Sequence, residues 1–199
     1  MQRFIPTWKD PYDAGFELFG PDQITLDEGV TVLVGCNGSG KSTFLKNVEE
    51  YLEANKIANI VLKDELTPEV MASDKWIEPI RRFMLTGSTS ERFTSDDTSD
   101  ERWILFDSID YGWSIDNIQD FKNKILEVIK RDAYNLQIHL FIIITANSYE
   151  MTIGLPCLDV YSGHLVNFDS YEKYRSFIIK TRHRKDDRHG YEKGEHEDV

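Results

Sequence analysis

The chain is predicted to form an α/β fold in which a mainly parallel sheet is flanked by helices. Short apolar runs alternate with helical patterns over most of the 199 residues, and such alternation is typical of crossover connections between strands. The most apolar run, 140–144, has the composition of a central strand that is buried on both faces. Two further strand-like runs, 16–19 and 23–26, predict an antiparallel flank on the N-terminal side.

The first half of the chain contributes two strands and two helices to this prediction. A β-branched strand at 30–34 leads into a glycine-rich segment, and a second strand is predicted at 59–63. Between them, helical spacing of apolar residues predicts a helix that buries Phe44, Leu45, Val48, Tyr51 and Leu52. Thr67 followed by Pro68 favours the start of another helix. That helix would direct inward Trp76, Ile80 and Phe83.

The second half continues the same alternation. A buried strand is predicted at 103–106, and a helix is predicted from Asp116 onward. The apolar residues that mark this helix are Ile118, Phe121, Ile125, Val128 and Ile129. Two short runs at 159–161 and 165–168 predict a hairpin beyond the central strand.

The last helix and two polar stretches set the expected domain limits. Asp169 and Glu172 have the spacing of a capping box that opens this helix. The apolar residues expected on its inner face are Tyr171, Tyr174, Phe177 and Ile178. We expect one domain over residues 1–180, with a mobile polar insertion at 86–101 and a charged, disordered tail at 181–199.

The composition excludes several classes of protein. The net charge of −12 disfavours general coating of a nucleic acid, because a surface of that sign repels a phosphate backbone. DNA binding would need a local basic patch, for which the tail offers residues that otherwise form a solvated charged segment: Arg182, Arg184, Lys185 and Arg188. Two cysteines without metal-ligand spacing predict neither a disulfide framework nor a zinc site. With no signal core and no long apolar run, the protein is expected to be cytoplasmic, without a membrane partner.

Residues 35–42 match the complete pattern G-x-x-x-x-G-K-[ST], with Thr43 following, and in this context the pattern predicts a P-loop NTPase fold. The pattern is specific here because a strand precedes it and a helix follows it. The residues expected to cradle phosphate are Gly35, Cys36, Asn37, Gly38, Ser39, Gly40, Lys41, Ser42 and Thr43. Glycines let backbone N–H groups face phosphate oxygens, and the helix N-terminus adds a favourable dipole. The alternative is a glycine-rich turn that binds nothing.

Three side chains are assigned chemical roles around this loop. Lys41 would reach the β- and γ-phosphates of ATP, and the Ser42 hydroxyl would contact Mg²⁺. Asp107 ends the strand at 103–106, where phosphoryl chemistry needs an acidic residue that holds Mg²⁺ from a second direction. The alternative for Asp107 is a carboxylate that only caps a turn.

The loop spelling and the segment 106–116 resemble the corresponding parts of ATP-binding-cassette (ABC) ATPases. The resemblance is closest in style to the soluble chromosome-maintenance and recombination branch and to small phage-encoded ABC-like proteins. It spans most of residues 16–168, although only the loop is highly specific. It implies an ABC head-like fold, ATP and Mg²⁺ as ligands, and a nucleotide held between two head domains.

The chain departs from that family at the positions that handle the attacking water. Ser108 stands where the family has its catalytic Glu, and a neutral hydroxyl cannot accept a proton as a carboxylate does. Asp110 is the candidate substitute base. Ala146 occupies the position of the family's switch His, and the next residue, Asn147, could orient a water without acting as a base.

Other family features are reduced or absent from the sequence. The signature Leu-Ser-Gly-Gly-Gln does not occur; the nearest candidate, 86–91, also reads as an ordinary Ser/Thr-rich loop. The short segment between Lys41 and Asp107 leaves room only for a minimal helical subdomain, which disfavours a transporter domain. Tyr12 and Phe16 are candidates for stacking on adenine, although Phe16 also suits the core.

Three functions remain open at this stage. The first is an ABC-type ATPase that hydrolyses ATP slowly and forms an ATP-dependent homodimer or binds a different protein partner. The second is a nucleotide-gated binding subunit with little turnover, as Ser108 and Ala146 would allow. The third is a small-molecule or nucleotide kinase, whose lid would draw on Arg81, Arg82 and Arg92.

Overall fold

A six-stranded, mostly parallel sheet organises the protein in the computed structural model, which describes residues 1–6, 23–63, 67, 70, 73, 76–87, 100–110 and 112–188. Its strands, with those of a separate pair, are β1 Gln2–Pro6, β2 Gln23–Asp27, β3 Gly29–Val34, β4 Asn59–Lys63, β5 Glu101–Asp107, β6 His139–Thr145, β7 Cys157–Asp159 and β8 Leu165–Val166. The main helices are α1 Lys41–Ala54, α2 Ile77–Thr86, α3 Ile115–Phe121, α4 Glu127–Leu136, α5 Tyr149–Thr152 and α6 Tyr171–Arg188. A π-helical segment, Lys122–Leu126, joins α3 to α4.

The strand order confirms the predicted α/β class. The sheet runs β4-β5-β6-β3-β7-β8, and every neighbouring pair is parallel except β7 with β8. The predicted central strand lies within β6, between β5 and β3. The expected antiparallel flank also exists, but it is a separate two-stranded sheet in which β2 pairs with β1. The strand predicted at 16–19 lies outside the described residues.

The core forms on both faces of the sheet because side chains alternate along each strand. In β3, Val32 and Val34 join one buried cluster with α2, α3 and α4, while Leu33 joins the other with α1. β6 divides in the same way, and residues 140–145 are all buried. This two-sided burial explains why the strands read as continuous apolar runs.

Three boundaries differ from the sequence-based expectations. The polar insertion is shorter than 86–101, because Thr86 ends α2 and Glu101 begins β5; residues 88–99 lie outside the described part. The expected capping box at Asp169 is wrong: Ser170 Oγ accepts a hydrogen bond from the backbone N–H of Lys173, while Asp169 pairs with the Lys173 side chain. The tail does not begin as a disordered segment, since α6 continues through residue 188.

No helix in the described ranges is both long and apolar enough to span a membrane.

Candidate functional site

The glycine-rich loop connects the carboxyl end of β3 to the first turn of α1 and folds back on itself. The backbone N–H of Ser39 donates to the Cys36 carbonyl over 3.1 Å. Gly35 has φ +153°, and a Cβ at this position would lie 2.5 Å from Ser39 Oγ. A larger residue would therefore push the two halves of the loop apart, so the tight fold depends on glycine here.

Lys41 lies under this loop as a buried cation. Its side chain is 7% exposed, and Nζ donates to the carbonyl oxygens of Gly35 at 2.9 Å and Cys36 at 3.2 Å. Burial lowers the pKa of the Lys41 ammonium, while Cys36, Asp110 and Asp107 act in the opposite direction. The ammonium is thus partly desolvated, and its acceptors among the described residues are neutral carbonyls, so an anionic partner would bind it more strongly.

The hydroxyl of Ser39, also in the loop, is buried without a partner among the described residues. Ser39 is 7% exposed, and its Oγ makes no hydrogen bond to any residue that the structure describes. An unpaired buried hydroxyl costs about 1–3 kcal/mol, so such groups in native proteins require an explanation. A bound phosphate oxygen would supply the missing acceptor.

Ser42 and Asp107 are in contact at the carboxyl edge of the sheet. Ser42 Oγ donates to Asp107 Oδ1 over 2.9 Å, although the residues are 65 positions apart. The same Oδ1 accepts hydrogen bonds from Thr145 Oγ1 at 3.0 Å and from Ser108 Oγ at 3.3 Å. Because β3, β5 and β6 are parallel, their carboxyl ends meet at one edge of the sheet and place these groups side by side.

Ser108 makes the turn that follows β5. Its φ is +54°, in the left-handed region that is uncommon for residues other than glycine. The backbone N–H of Ser108 donates to Thr145 Oγ1, which in turn donates to Asp107. The Thr145 hydroxyl therefore fixes both the turn and the carboxylate; sequence reasoning did not single out Thr145.

Asp110 and Asn147 also meet at this edge. Asp110 is 5% exposed, and its Oδ2 accepts from the backbone N–H groups of Asn147 and Ser148, each at 2.9 Å, and from Ser148 Oγ at 2.7 Å. Asn147 Nδ2 lies 3.4 Å from Asp110 Oδ1. These contacts hold the loop that follows β6, and they favour a positioning role for Asp110 over that of a free base.

Helix α6 crosses the same edge of the sheet. Tyr174 Oη donates to the Asn147 carbonyl after β6, Thr181 Oγ1 accepts from the Cys36 N–H after β3, and Arg184 lies 3.6 Å from Asp159 at the end of β7. Burial raises the pKa of the Tyr174 phenol, which keeps it a neutral donor. The helical spacing of Tyr174, Ile178 and Thr181 could have revealed that the helix continues past residue 180.

Several predicted candidates do not join this cluster. Arg81, a possible kinase lid residue, pairs instead with Glu78 of α2 and Asp132 of α4. Tyr12, Phe16 and Arg92 lie outside the described residues.

A cavity of about 770 Å³ lies away from the loop. It opens at the amino ends of β3 and β6, at the opposite edge of the sheet, and is lined in part by Gly29 and His139.

No protein-family model matches this chain, and no curated protein matches it either. The resemblance to ABC ATPases therefore remains a prediction from the loop and strand motifs.

Proposed function

We propose that this protein has a P-loop NTPase fold of ABC type, binds ATP with Mg²⁺, and hydrolyses it slowly to ADP and phosphate. The observation that carries the proposal is the 2.9 Å contact between Ser42 Oγ and Asp107 Oδ1, beside the buried Lys41. The loop residue and the strand-end carboxylate that the sequence assigns to one metal ion are therefore in contact. The α/β sheet, with its loop at the carboxyl edge, is compatible with this fold.

The residues of the loop fit a triphosphate. Lys41 supplies a buried positive charge, and Ser39 supplies a hydroxyl that lacks an acceptor among the described residues. The N-terminus of the 14-residue helix α1 adds the dipole and the first-turn N–H groups that favour an anion. A bound phosphate group would interact favourably with all three: the positive charge of Lys41, the Ser39 hydroxyl and the N-terminus of the helix.

Ser42 and Asp107 also fit Mg²⁺, which prefers oxygen ligands and usually keeps waters and substrate phosphates in its shell. In the described part of the chain no cluster of three or more His, Cys, Asp or Glu side chains could hold a metal alone. The ion would thus be shared with the nucleotide, and when bound it would neutralise phosphate charge. Asp107 and Ser42 would supply the protein ligands that hold the Mg²⁺ ion.

Removing either oxygen ligand should abolish the Mg²⁺ dependence of ATP binding. By isothermal titration, we expect wild type to bind ATP about tenfold more tightly with Mg²⁺ than with EDTA, as charge-assisted contacts of this kind predict. Ser42→Ala and Asp107→Asn should bind ATP equally in both conditions. Asp120→Asn, a change at an exposed carboxylate paired with Lys124, is the control. An unchanged Mg²⁺ effect in both site variants would disprove the metal assignment.

ATP with Mg²⁺ should also promote self-association. The proposed ABC relationship implies a nucleotide held between two copies, and Asn37, Gly38 and Asn147 are exposed at this edge of the sheet. Light scattering should show a doubled mass with saturating MgATP for wild type but not for Lys41→Ala. A wild-type monomer that persists at saturation would count against the sandwich dimer. In that case a different protein becomes the partner to seek.

A second candidate is a nucleotide-gated binding subunit without significant hydrolysis. It is favoured by Ser108, which offers no carboxylate, and by Asp110, whose carboxylate is already engaged by Asn147 and Ser148. The kinase alternative is less favoured, because Arg81 is paired with Glu78 in its own helix and with Asp132 of α4. Phosphate release from ATP separates the first two functions.

A further inference from the structure

The final turns of α6 are attached directly to the phosphate loop. Thr181 is fully buried, and its hydroxyl accepts the Cys36 backbone N–H at 3.1 Å while donating to the Ile178 carbonyl at 2.9 Å. The loop is thereby connected to a helix 145 residues later in the chain. Arg184, paired with the buried carboxylate of Asp159, fixes the same part of the helix.

One turn beyond Thr181, Lys185 places a cation at the tip of the loop. Its Nζ donates to the Asn37 carbonyl at 3.3 Å. A Cβ added to Gly38 would lie 2.8 Å from Nζ and 3.3 Å from Cε, so the side chain lies directly against this glycine. Gly38 has φ +73° and no side chain, and both features allow this close approach.

Lys185 and Lys41 approach the same half of the loop. Lys41 Nζ donates to the carbonyls of Gly35 and Cys36, and Lys185 Nζ donates to the carbonyl of the next residue, Asn37. In loops of this type the helix lysine reaches the β- and γ-phosphates. The Lys185 ammonium, which donates to the carbonyl of the next loop residue over 3.3 Å, would gain a stronger bond from an anion.

We propose that Lys185 is a second phosphate-binding cation, supplied within the same chain by α6, that contacts the β–γ end of the bound nucleotide. Thr181 is the positioning residue that holds the helix and the loop in register. This inference rests on the proposed ATP-binding function. It also gives a role to one of the four basic residues that sequence analysis placed in a solvated tail.

The test compares ATP, ADP and AMP binding to the full chain by isothermal titration with Mg²⁺. Lys185→Ala should weaken ATP binding about tenfold, as expected for loss of one charged hydrogen bond. ADP should be affected less and AMP not at all, because the contact is to the distal phosphates. Lys185→Arg should retain ATP binding. Lys180→Ala, an exposed lysine of the same helix, is the matched control and should match wild type.

A positioning role for Thr181 gives a different pattern. Thr181→Val keeps the side-chain shape but removes the acceptor of the buried Cys36 N–H, so ATP and ADP binding should weaken by the same factor. Thr181→Ser, which restores the hydroxyl, should restore both. A thermal melt of each variant verifies that it is folded before titration.

The outcomes distinguish this inference from the proposed function. If Lys185→Ala binds ATP as wild type does while Lys41→Ala does not, the second cation is disproved and the function stands. If Lys185→Ala weakens ATP, ADP and AMP equally, the residue acts only through the fold, which also overturns the inference. If wild type binds no ATP, both proposals fail.

Discussion

Lys41→Ala should weaken MgATP binding by about 100-fold, or about 2.8 kcal/mol, as expected for loss of two charged hydrogen bonds. Lys41 is 7% exposed and its ammonium donates to neutral carbonyls, so its desolvation is already present before any anion arrives. Contacts with phosphate would therefore be stronger than those of an exposed lysine. Isothermal titration with MgATP measures the loss.

Lys46→Ala is the matched control for this change. Lys46 is on the same helix, and its side chain is 68% exposed and paired with Glu50. Its removal should leave the dissociation constant unchanged. Lys41→Met keeps most of the buried alkyl chain. It therefore shows whether weaker ATP binding by Lys41→Ala comes from the lost charge or from a void under the loop. Wild-type affinity in both Lys41 variants would show that the loop does not bind phosphate.

Asp110→Ala should lower the free energy of unfolding by about 1–3 kcal/mol, because it leaves partly buried donors without their acceptor. The donors are the backbone N–H groups of Asn147 and Ser148 together with Ser148 Oγ. Urea denaturation measures the change. Asp120→Ala, at an exposed carboxylate, should change stability by less than about 0.5 kcal/mol.

Asp110→Asn then separates positioning from catalysis. The amide keeps one acceptor oxygen, so this variant should lose less stability than Asp110→Ala. If the carboxylate only positions the β6–α5 loop, phosphate release should remain near the wild-type rate. If release disappears while the variant stays folded, Asp110 is the substitute base. If wild type releases no phosphate, the non-hydrolysing binding subunit is favoured.

The strands β3, β5 and β6 could be predicted from the sequence because they are buried on both faces. Burial on both sides gives uninterrupted apolar runs, and the run at 140–144 accordingly falls within the central strand β6. The pairing of β1 with β2 was not predicted. The partner of β2 is set by contacts between distant residues, and the alternating exposure of Gln2–Pro6 is too short a pattern to reveal it.

Residues 181–188 show why a polar composition alone is a poor guide to disorder. They read as part of a charged tail, yet the helix continues through them, with Thr181 buried and Arg182 and His183 exposed. Similarly, Ser170 rather than Asp169 caps α6. The two residues are adjacent and both suit a cap, so side-chain geometry decides between them.

The residues of the candidate site could be predicted where they belong to a short sequence motif. The loop and Asp107 follow from short motifs, and the structure places Ser42 against Asp107. The contacts of Thr145 with Asp107 and of Thr181 with Cys36 join segments that only the strand order brings together. No local pattern encodes such pairs, so they became visible only in three dimensions.

The attachment of α6 to the loop has a consequence for the order of synthesis. Cys36 leaves the ribosome long before Thr181, which is 145 residues later in the chain and holds its backbone N–H. Since chains are made from the N-terminus, a nascent chain can display the whole glycine-rich motif while the loop still lacks its last support. Competence to hold a nucleotide would thus come late in biogenesis, after the sheet has formed.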